Sequence, residues 1–389
     1  MKSSLPVTLV LVALGLAACI TASADWQIST IEANAGNWSS IAVNGRGNPC
    51  VAYLAPGSVT PMAVFAEWDG SAWQRAEVGA SEYGSGGTSR SLVLDSQGNP
   101  CVAYYSPFGS WLDAMYSKRV GGVWQTSRVD QVGTTGIKPS LALNPSGVPY
   151  ISYAASGSRL MVYMAYLSGA AWTIVPVETA SGTSDLSSIA VDSGGTPHVV
   201  YRNSEKVWYG RWNGTGWDKS EVGSGHPFGQ AICLGPGGNP NIAYWDYWAN
   251  ALKFARRNGS SWDVETVESI GSLGGYCNMA LDKSGRPHIS YQDYTKGQLK
   301  HAAWNGSSWV ISVVDTGANV GETNSIALDA DGNPHISYWH KETLTLKYAR
   351  WEPIPEPSSL LALSGGLAAL AGMIRRRRVY RRAFWPARP

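Results

Sequence analysis

The stretch SIALDADGNPHISY, residues 325–338, decides the fold, because the chain contains seven variants of it. The turn prolines of successive copies are separated by 51, 49, 48, 43, 47 and 47 residues. A repeat period of this size is typical of propellers, solenoids and arrays. The copies are SIAVNGRGNPCVAY (40–53), SLVLDSQGNPCVAY (91–104), SLALNPSGVPYISY (140–153), SIAVDSGGTPHVVY (188–201), AICLGPGGNPNIAY (231–244), NMALDKSGRPHISY (278–291) and residues 325–338.

Each copy has the features of a β-hairpin. Ile326 and Leu328 alternate with small or polar residues, which is the period of a strand. Asp329 can accept a hydrogen bond from a backbone N–H two residues on, and Gly332 can adopt the positive φ that such turns need. Pro334 begins the next strand, where its missing N–H costs least.

A second hairpin follows in most copies, as in LKHAAWNGSSWVISVV at residues 299–314. Asn-Gly between two apolar, aromatic-rich runs is a strong hairpin signal. Each period therefore holds four short strands, which is the content of one propeller blade. The sequence predicts an all-β, seven-bladed β-propeller.

The two ends of the repeat region complement each other. The seventh copy stops at Trp351, before a fourth strand, whereas WQISTI at residues 26–31 matches the fourth strand of other blades, such as WVISVV at 309–314. We therefore expect the N-terminal strand to complete the last blade and close the ring. Closure leaves no open sheet edge, which would invite aggregation. The predicted propeller domain covers residues 25–351.

Composition excludes one class of function. The chain has 44 Gly, 18 Trp and 19 Tyr against 5 Phe, a profile typical of β-rich, turn-rich proteins. Its net charge of +2 is misleading, because eight of the 30 basic residues lie in the terminal segments 1–24 and 352–389. Residues 25–351 are slightly acidic, so no basic patch suggests nucleic acid.

Cysteines and histidines occupy one repeat position, directly after the turn proline. Cys50 and Cys101 hold it in neighbouring copies, so a disulfide between them and two buried free thiols both remain open. Where histidine holds it, a polar contact to a neighbouring backbone is favoured over a metal site. No Cys-x-x-Cys or Cys/His metal spacing occurs, and no cofactor is predicted. The same position is His198, His288 and His335 in three other copies, whereas Cys233 and Cys277 lie elsewhere in the repeats.

Residues 1–24 have the features of a secretory signal peptide. Lys2 precedes an apolar run, and Ala22-Ser23-Ala24 stands before Asp25 as a cleavage site. A competing interpretation is a lipobox at residues 16–19, which would make Cys19 a lipidated N-terminus.

Residues 352–389 differ in kind from the repeats. A Pro-Glu-Pro motif precedes about 17 apolar or small residues, near the lower limit of a membrane span, and a basic cluster follows. This tail resembles the PEP-CTERM sorting signal. The resemblance implies export, a transmembrane helix at about 358–374, inner-membrane retention and processing by an exosortase before release to the cell surface or matrix. The motif residues are Pro355, Glu356, Pro357, Arg375, Arg376, Arg377 and Arg378. The repeats resemble those of uncharacterised secreted bacterial propellers, which implies fold only.

The loops after the repeat tyrosine are the candidate binding surface. They read YWDYWANAL (244–252), YQDYTKGQL (291–299) and YWHKETLTL (338–346). Aromatic rings there would offer contact area, and a few polar groups would fix the orientation of a ligand such as a polysaccharide. The candidate residues are Trp245, Asp246, Tyr247, Trp248, Gln292, Asp293, Trp339 and His340.

Three functions fit these features. The favoured hypothesis is an exported, non-catalytic propeller that binds polysaccharide or another extracellular component. An alternative is a secreted carbohydrate-active hydrolase or lyase with Asp246 and Asp293 as acid and base, since a glycosidase needs two such carboxylates. A third is a scaffold for protein contacts. No catalytic residue is assigned by the sequence itself.

Overall fold

A computed structural model describes residues 25–36, 38–55, 62–80, 90–108, 111–131, 134–156, 161–179, 186–225, 227–269 and 274–352. The predicted signal peptide and the predicted sorting tail lie outside these residues. Residues Trp26–Trp351 form a compact unit. Within the described residues no helix is long and apolar enough to cross a membrane.

The described residues form 28 strands in seven four-stranded sheets. The first strand is β1 (Asp25–Ala33). Blade 1 contains β2 (Ser39–Val43), β3 (Pro49–Ala55), β4 (Met62–Trp68) and β5 (Trp73–Ala80). Blade 2 contains β6 (Leu92–Leu94), β7 (Pro100–Phe108), β8 (Trp111–Val120) and β9 (Val123–Asp130). Blade 3 contains β10 (Thr134–Leu143), β11 (Pro149–Ser156), β12 (Met161–Ser168) and β13 (Ala171–Glu178).

The remaining blades follow the same order. Blade 4 contains β14 (Ser187–Val191), β15 (Pro197–Asn203), β16 (Lys206–Trp212) and β17 (Trp217–Ser224). Blade 5 contains β18 (Phe228–Leu234), β19 (Pro240–Asp246), β20 (Ala251–Asn258) and β21 (Ser261–Ser269). Blade 6 contains β22 (Gly274–Leu281), β23 (Pro287–Asp293), β24 (Gln298–Trp304) and β25 (Trp309–Thr316). Blade 7 contains β26 (Val320–Leu328), β27 (Pro334–His340), β28 (Thr345–Glu352) and β1.

The predicted ring closure is confirmed. β1 pairs with β28 as the outermost strand of blade 7, in the sheet order β1-β28-β27-β26. Each innermost strand contacts the innermost strand of the next blade, and β26 of blade 7 contacts β2 of blade 1. The chain is therefore a closed seven-bladed β-propeller. Trp26 secures the closing strand: it is buried, and its ring meets Trp351 and His301 edge to face at 5.3 Å each.

The recurrent turn residues have the roles that the sequence predicts. The Asp329 Oδ1 atom accepts hydrogen bonds from the backbone N–H groups of Asp331 (2.9 Å) and Asn333 (2.8 Å). Gly332 has a φ of +88°, in the region that favours glycine. These turns and the hairpins between the third and fourth strands form one face of the ring, here called the turn face. The other connections form the opposite, loop face.

Serines of the innermost strands tie adjacent blades together. Ser40 Oγ in blade 1 accepts the backbone N–H of Leu92 in blade 2 at 3.1 Å, and Ser140 does the same for Ile189 of blade 4 at 3.2 Å. Ser325 of blade 7 accepts the N–H of Ile41 in blade 1 at 3.1 Å. Buried polar groups need such partners, which gives a physical reason for the recurrent serine that opens the repeat.

The repeat tyrosine forms a second contact between blades. Its hydroxyl donates to a carboxylate at the end of the outermost strand of the preceding blade. Where that position is Gly79 or Gly223 instead, a Cβ atom would lie 2.4 or 2.3 Å from the hydroxyl, so only glycine leaves room. The carboxylate pairs are Tyr53–Glu32 (2.9 Å), Tyr153–Asp130 (2.7 Å), Tyr201–Glu178 (3.1 Å), Tyr291–Glu268 (2.5 Å) and Tyr338–Asp315 (2.7 Å).

Candidate functional site

Three of the residues predicted to bind ligand lie buried between blades. Trp245 is 0% exposed and packs in the core shared by blades 5 and 6. The Gln292 side chain donates a hydrogen bond to the Val320 carbonyl at 3.0 Å, and Trp339 Nε1 donates to the Ala35 carbonyl at 3.1 Å. Each side chain thus joins its blade to a neighbouring element, and none of the three presents a ring or amide at the surface.

Asp246, Asp293 and His340 occupy equivalent positions at the ends of β19, β23 and β27, and all three are buried. The Asp246 Oδ1 atom accepts the backbone N–H of Ala249 at 2.9 Å, and Asp293 Oδ1 accepts that of Lys296 at 3.1 Å. Both carboxylates therefore hold the tight turns that follow them.

Asp293 is also part of a buried ionic cluster. Its Oδ2 atom lies 3.0 Å from Lys300 Nζ, which lies 2.9 Å from Glu268 Oε1. Burial opposes protonation of Lys300, but the hydrogen bonds and charges of Glu268 and Asp293 outweigh that effect and raise the pKa of Lys300. Glu268 belongs to blade 5, so the cluster joins blades 5 and 6. The Tyr291 hydroxyl donates to the same Glu268 carboxylate.

Tyr247 and Trp248, in contrast, are exposed on the loop face. They belong to a sector where four aromatic side chains are between 40% and 58% exposed: Tyr247, Trp248, Tyr276 and Tyr294, here called the aromatic ridge. Tyr294 was not singled out by the sequence, although it follows Asp293 as Tyr247 follows Asp246. This equivalence could have identified Tyr294 from the sequence, because in both loops the aspartate is held in the turn and the next residue projects outward.

Direct contacts connect the ridge across blades 5 to 7. The Phe228 ring meets the Tyr247 ring edge to face at 5.9 Å. A Cβ on Gly229, the next residue, would lie 3.1 Å from the Cα of Tyr276, so blades 5 and 6 touch closely here. On the other side, the Asn324 amide of blade 7 donates to the Tyr276 carbonyl at 2.9 Å. Blades 5, 6 and 7 therefore meet closely beneath the residues of the ridge.

Charged groups lie at the blade 7 end of the ridge. Lys341 and Glu322 form an ion pair of 3.2 Å. Glu322 lies on β26, two residues before Asn324, whose amide donates to the Tyr276 carbonyl. Desolvation and then the negative charge of Glu322 raise the pKa of Tyr276, and the charge of Lys341 opposes that shift. The ridge thus combines apolar rings with a hydroxyl, a carboxylate and an ammonium group.

The centre of the ring is a channel of about 530 Å³, lined mainly by aliphatic residues of the innermost strands and crossed by Arg90. Arg90 starts beside blade 2, and its guanidinium donates to the carbonyls of Ile232 in blade 5 and Met279 in blade 6, the latter at 2.8 Å. It also lies 2.7 Å from the Cys233 sulfur. Arg90 therefore links opposite sides of the ring by satisfying backbone carbonyls that face the channel.

The cysteines and histidines after the turn prolines serve local packing. Cys50 and Cys101 at this position are buried free thiols, as are Cys233 and Cys277 elsewhere in the repeats. His198 Nδ1 lies 2.6 Å from the Tyr209 hydroxyl, and His335 Nδ1 lies 2.6 Å from that of Tyr348, in each case within one blade. Across the described part of the chain, no group of three His, Cys, Asp or Glu could hold a metal ion.

Blade 6 departs from this pattern, since its histidine contacts a second histidine. His288 Nδ1 lies 3.1 Å from His301 Nε2, and His301 stands where Tyr209 and Tyr348 stand in blades 4 and 7. Burial, then the neighbouring His288, lowers the pKa of His301 to about 3, and burial lowers that of His288.

The His288–His301 pair is expected to make the folded protein less stable in acid. In the unfolded chain a histidine takes up its proton near pH 6.5, whereas folded His301 does so only near pH 3. Protonation therefore favours the unfolded chain, so the free energy of unfolding is highest above pH 6.5 and falls as the pH drops towards about 3. We expect His301→Tyr to be about 1–2 kcal/mol more stable than the wild type at pH 5 and close to it at pH 7. Urea unfolding at both pH values measures this, and parallel pH curves for the two proteins would contradict it.

The similarity of this chain to known proteins concerns its fold and not an activity. No family model and no curated protein matches the chain. An ulvan lyase of polysaccharide lyase family PL25 is 14% identical, with a TM-score of 0.57, covering 83% of this chain and 95% of that one. A copper-bound fungal alcohol oxidase of the AA5 family is 12% identical, with a TM-score of 0.57, covering 85% and 76%. A protein of unknown function from Dyadobacter fermentans is 11% identical, with a TM-score of 0.51, covering 73% and 96%. At these identities the likeness concerns the propeller alone.

Proposed function

We propose that this propeller is a non-catalytic binding protein that holds an extracellular polysaccharide on its aromatic ridge. The observation that carries the proposal is the exposure of Tyr247, Trp248, Tyr276 and Tyr294 together, between 40% and 58% each, on one sector of the loop face. Contiguous exposed apolar surface is uncommon on soluble proteins and marks interaction sites. Tyrosine and tryptophan add a polar handle to a flat ring, a combination suited to sugar rings.

The polar groups beside the ridge would orient the ligand. The Tyr276 hydroxyl, the Glu322 carboxylate and the Lys341 ammonium supply donors and acceptors at one end. A few convergent polar groups next to apolar surface are the usual composition of a ligand site. Distant relatives in fold include the ulvan lyase, whose substrate is a polysaccharide, so a carbohydrate ligand is compatible with what this architecture accommodates elsewhere.

The proposal includes export and sorting, which rest on the sequence of the two ends. Residues 1–24 would direct secretion, and Pro355, Glu356 and Pro357 with the following segment 358–374 would retain the chain in the inner membrane until an exosortase processes it. The secretion machinery and the exosortase would be its partners there. Mass spectrometry of the mature protein tests this part, and recovery of an uncut chain ending at Pro389 would contradict processing.

No observation favours the hydrolase or lyase alternative. Asp246 and Asp293 are buried and hold turns, and Asp293 is paired with Lys300 at 3.0 Å. A general acid or base must reach the substrate proton that it transfers. The scaffold function is distinguished from polysaccharide binding by the retention experiment on the ridge variants.

The ridge is tested by removing its most exposed ring. We expect Trp248→Ala and Tyr294→Ala each to weaken retention on immobilised exopolysaccharide at least about tenfold, the effect of losing about 1.4 kcal/mol of contact. Val310→Ala is the matched control, since Val310 is also exposed but lies on the outermost strand of blade 6. Retention unchanged in both ridge variants would rule out the ridge, and retained protein partners without any polysaccharide binding would favour the scaffold.

A further inference from the structure

The outermost strand of blade 6, β25, is a free sheet edge. It is last in the sheet order β22-β23-β24-β25, so one side of its backbone has no partner strand among the described residues. At its hairpin the Asn305 N–H donates to the Ser308 carbonyl at 3.1 Å. Hydrogen-bonded and non-hydrogen-bonded pairs alternate along an antiparallel ladder, so the N–H and C=O groups that point outward are those of Trp309, Ile311 and Val313.

This edge carries apolar side chains at the surface. Val310, Ile311 and Val313 are between 38% and 52% exposed. The segment WVISVV at residues 309–314 contains no charged residue and no proline. An exposed, apolar and uncharged edge strand is a template for pairing with a strand of another chain.

The register position of Val313 is protected on the outer strands of other blades. Charge and proline at this position are the usual protection against pairing between sheet edges. The equivalent residues are Glu77 in blade 1, Arg128 in blade 2, Pro176 in blade 3 and Glu221 in blade 4.

The outer strands of blades 5 and 7 are more polar than β25. In blade 5 the equivalent of Val313 is Thr266, on a strand that also exposes Asp263 and Glu265. The closing strand β1 is uncharged between residues 26 and 31, but it exposes three polar side chains, Gln27, Ser29 and Thr30. Exposed apolar side chains at all of these positions therefore distinguish blade 6 from the other blades.

The outward backbone groups of β25 fit a second copy of the same strand. In an antiparallel pair about a two-fold axis at Ile311, this residue lies opposite itself and Trp309 lies opposite Val313 of the other copy. These are the positions with outward N–H and C=O groups, so each becomes a hydrogen-bonded pair. The apolar side chains then meet across the strands, which adds to the stability of a sheet. Both the backbone and the side chains of the edge are thus self-complementary.

We propose that the protein forms a two-fold symmetric dimer in which the two copies of β25 join both blades 6 into one continuous sheet. The same surface of each subunit then forms the interface, as two-fold symmetry requires. Because β25 runs from the turn face to the loop face, antiparallel pairing places the two loop faces on opposite sides of the dimer. The dimer does not depend on the proposed polysaccharide binding, but with that function it would connect two polymer chains.

Sedimentation equilibrium of the full chain over a concentration series tests the dimer. We expect a monomer–dimer equilibrium for the wild type and a dissociation constant raised at least about tenfold in Ile311→Lys, because like charges directly opposite each other destabilise a sheet. Val264→Lys is the matched control, since Val264 is 44% exposed at the same register position of blade 5. It should dimerise as the wild type does, and so should Trp248→Ala on the ridge. A wild type that stays monomeric, or an Ile311→Lys variant that dimerises as tightly as the wild type, overturns the proposal.

A cysteine at the two-fold axis tests the register of the pairing. The Cα atoms of a hydrogen-bonded antiparallel pair are about 5.5 Å apart, within the range that a disulfide spans. Ile311→Cys should therefore form a disulfide-linked dimer in air, seen on a non-reducing gel, whereas Val264→Cys should stay largely monomeric. Cys50, Cys101, Cys233 and Cys277 are buried and common to both variants. Equal cross-linking of the two variants, or none in Ile311→Cys, would contradict this pairing.

Discussion

Trp26→Ala is expected to lower the free energy of unfolding by about 3–5 kcal/mol, the usual cost of deleting a buried tryptophan. Trp26 is buried in the core between blades 6 and 7, against the rings of Trp351 and His301. Its Nε1 also donates to Ser312 Oγ at 3.3 Å. The side chain therefore attaches the closing strand to β28 of blade 7 and to β24 and β25 of blade 6.

The effect exceeds a local cavity because Trp26 lies on the strand that closes the ring. If β1 detaches, β28 becomes an exposed edge with unpaired backbone groups, and such edges promote association between chains. Urea unfolding measures the stability loss, and light scattering measures the association. Gln27→Ala is the control, since Gln27 is exposed on the same strand and should change stability by less than about 0.5 kcal/mol. A Trp26 variant as stable as this control would show that the ring does not depend on the N-terminal strand.

Lys300→Met is expected to cost a similar 3–5 kcal/mol, the usual penalty for removing one partner of a buried ion pair. Lys300 is buried and lies 3.0 Å from Asp293, which is 0% exposed, and 2.9 Å from Glu268. Methionine would fill the space but leave a fully buried carboxylate whose remaining cation, the exposed Lys296, lies 4.0 Å away. Desolvated charge without a partner is among the costliest defects in a protein interior.

The repeat supplies a matched control for this substitution. Lys253 occupies the same register position in blade 5, opposite Tyr244 as Lys300 is opposite Tyr291. It contacts Thr266 at 2.7 Å at the surface, so Lys253→Met should cost less than about 1 kcal/mol. Equal losses in both variants would show that the buried ion pair does not set the cost of Lys300→Met. Partial recovery in Lys300→Met with Asp293→Asn would confirm the charge as the cause.

Local sequence features predicted a large part of the fold. Asp329 and Gly332 form the expected turn, and the unpaired WQISTI segment closes blade 7. Turn chemistry depends on a few neighbouring residues and on φ, and the number of blades follows from the repeat itself. The serine contacts between blades, such as Ser40 to Leu92, were not predicted, because a strand pattern does not say which neighbour a hydroxyl will meet.

The candidate site was predicted less completely. Tyr247 and Trp248 are exposed on the loop face, as a ligand surface requires, whereas Trp245 and Trp339, in equally aromatic loops, are buried between blades. Tyr294 belongs to the ridge but was not among the predicted residues. The predicted role of this surface in binding stays a prediction until the ridge variants are measured.

The sequence by itself determined the all-β class, the seven blades, their closure and the turns, because each of these depends on period and local backbone geometry. The tertiary structure alone decided which aromatic rings reach solvent. In a propeller both faces of each sheet pack against neighbouring blades, so an apolar residue on either side of a strand can be buried, and alternation along the strand no longer separates core from surface. Only the assembled ring places Trp248 outside and Trp245 inside.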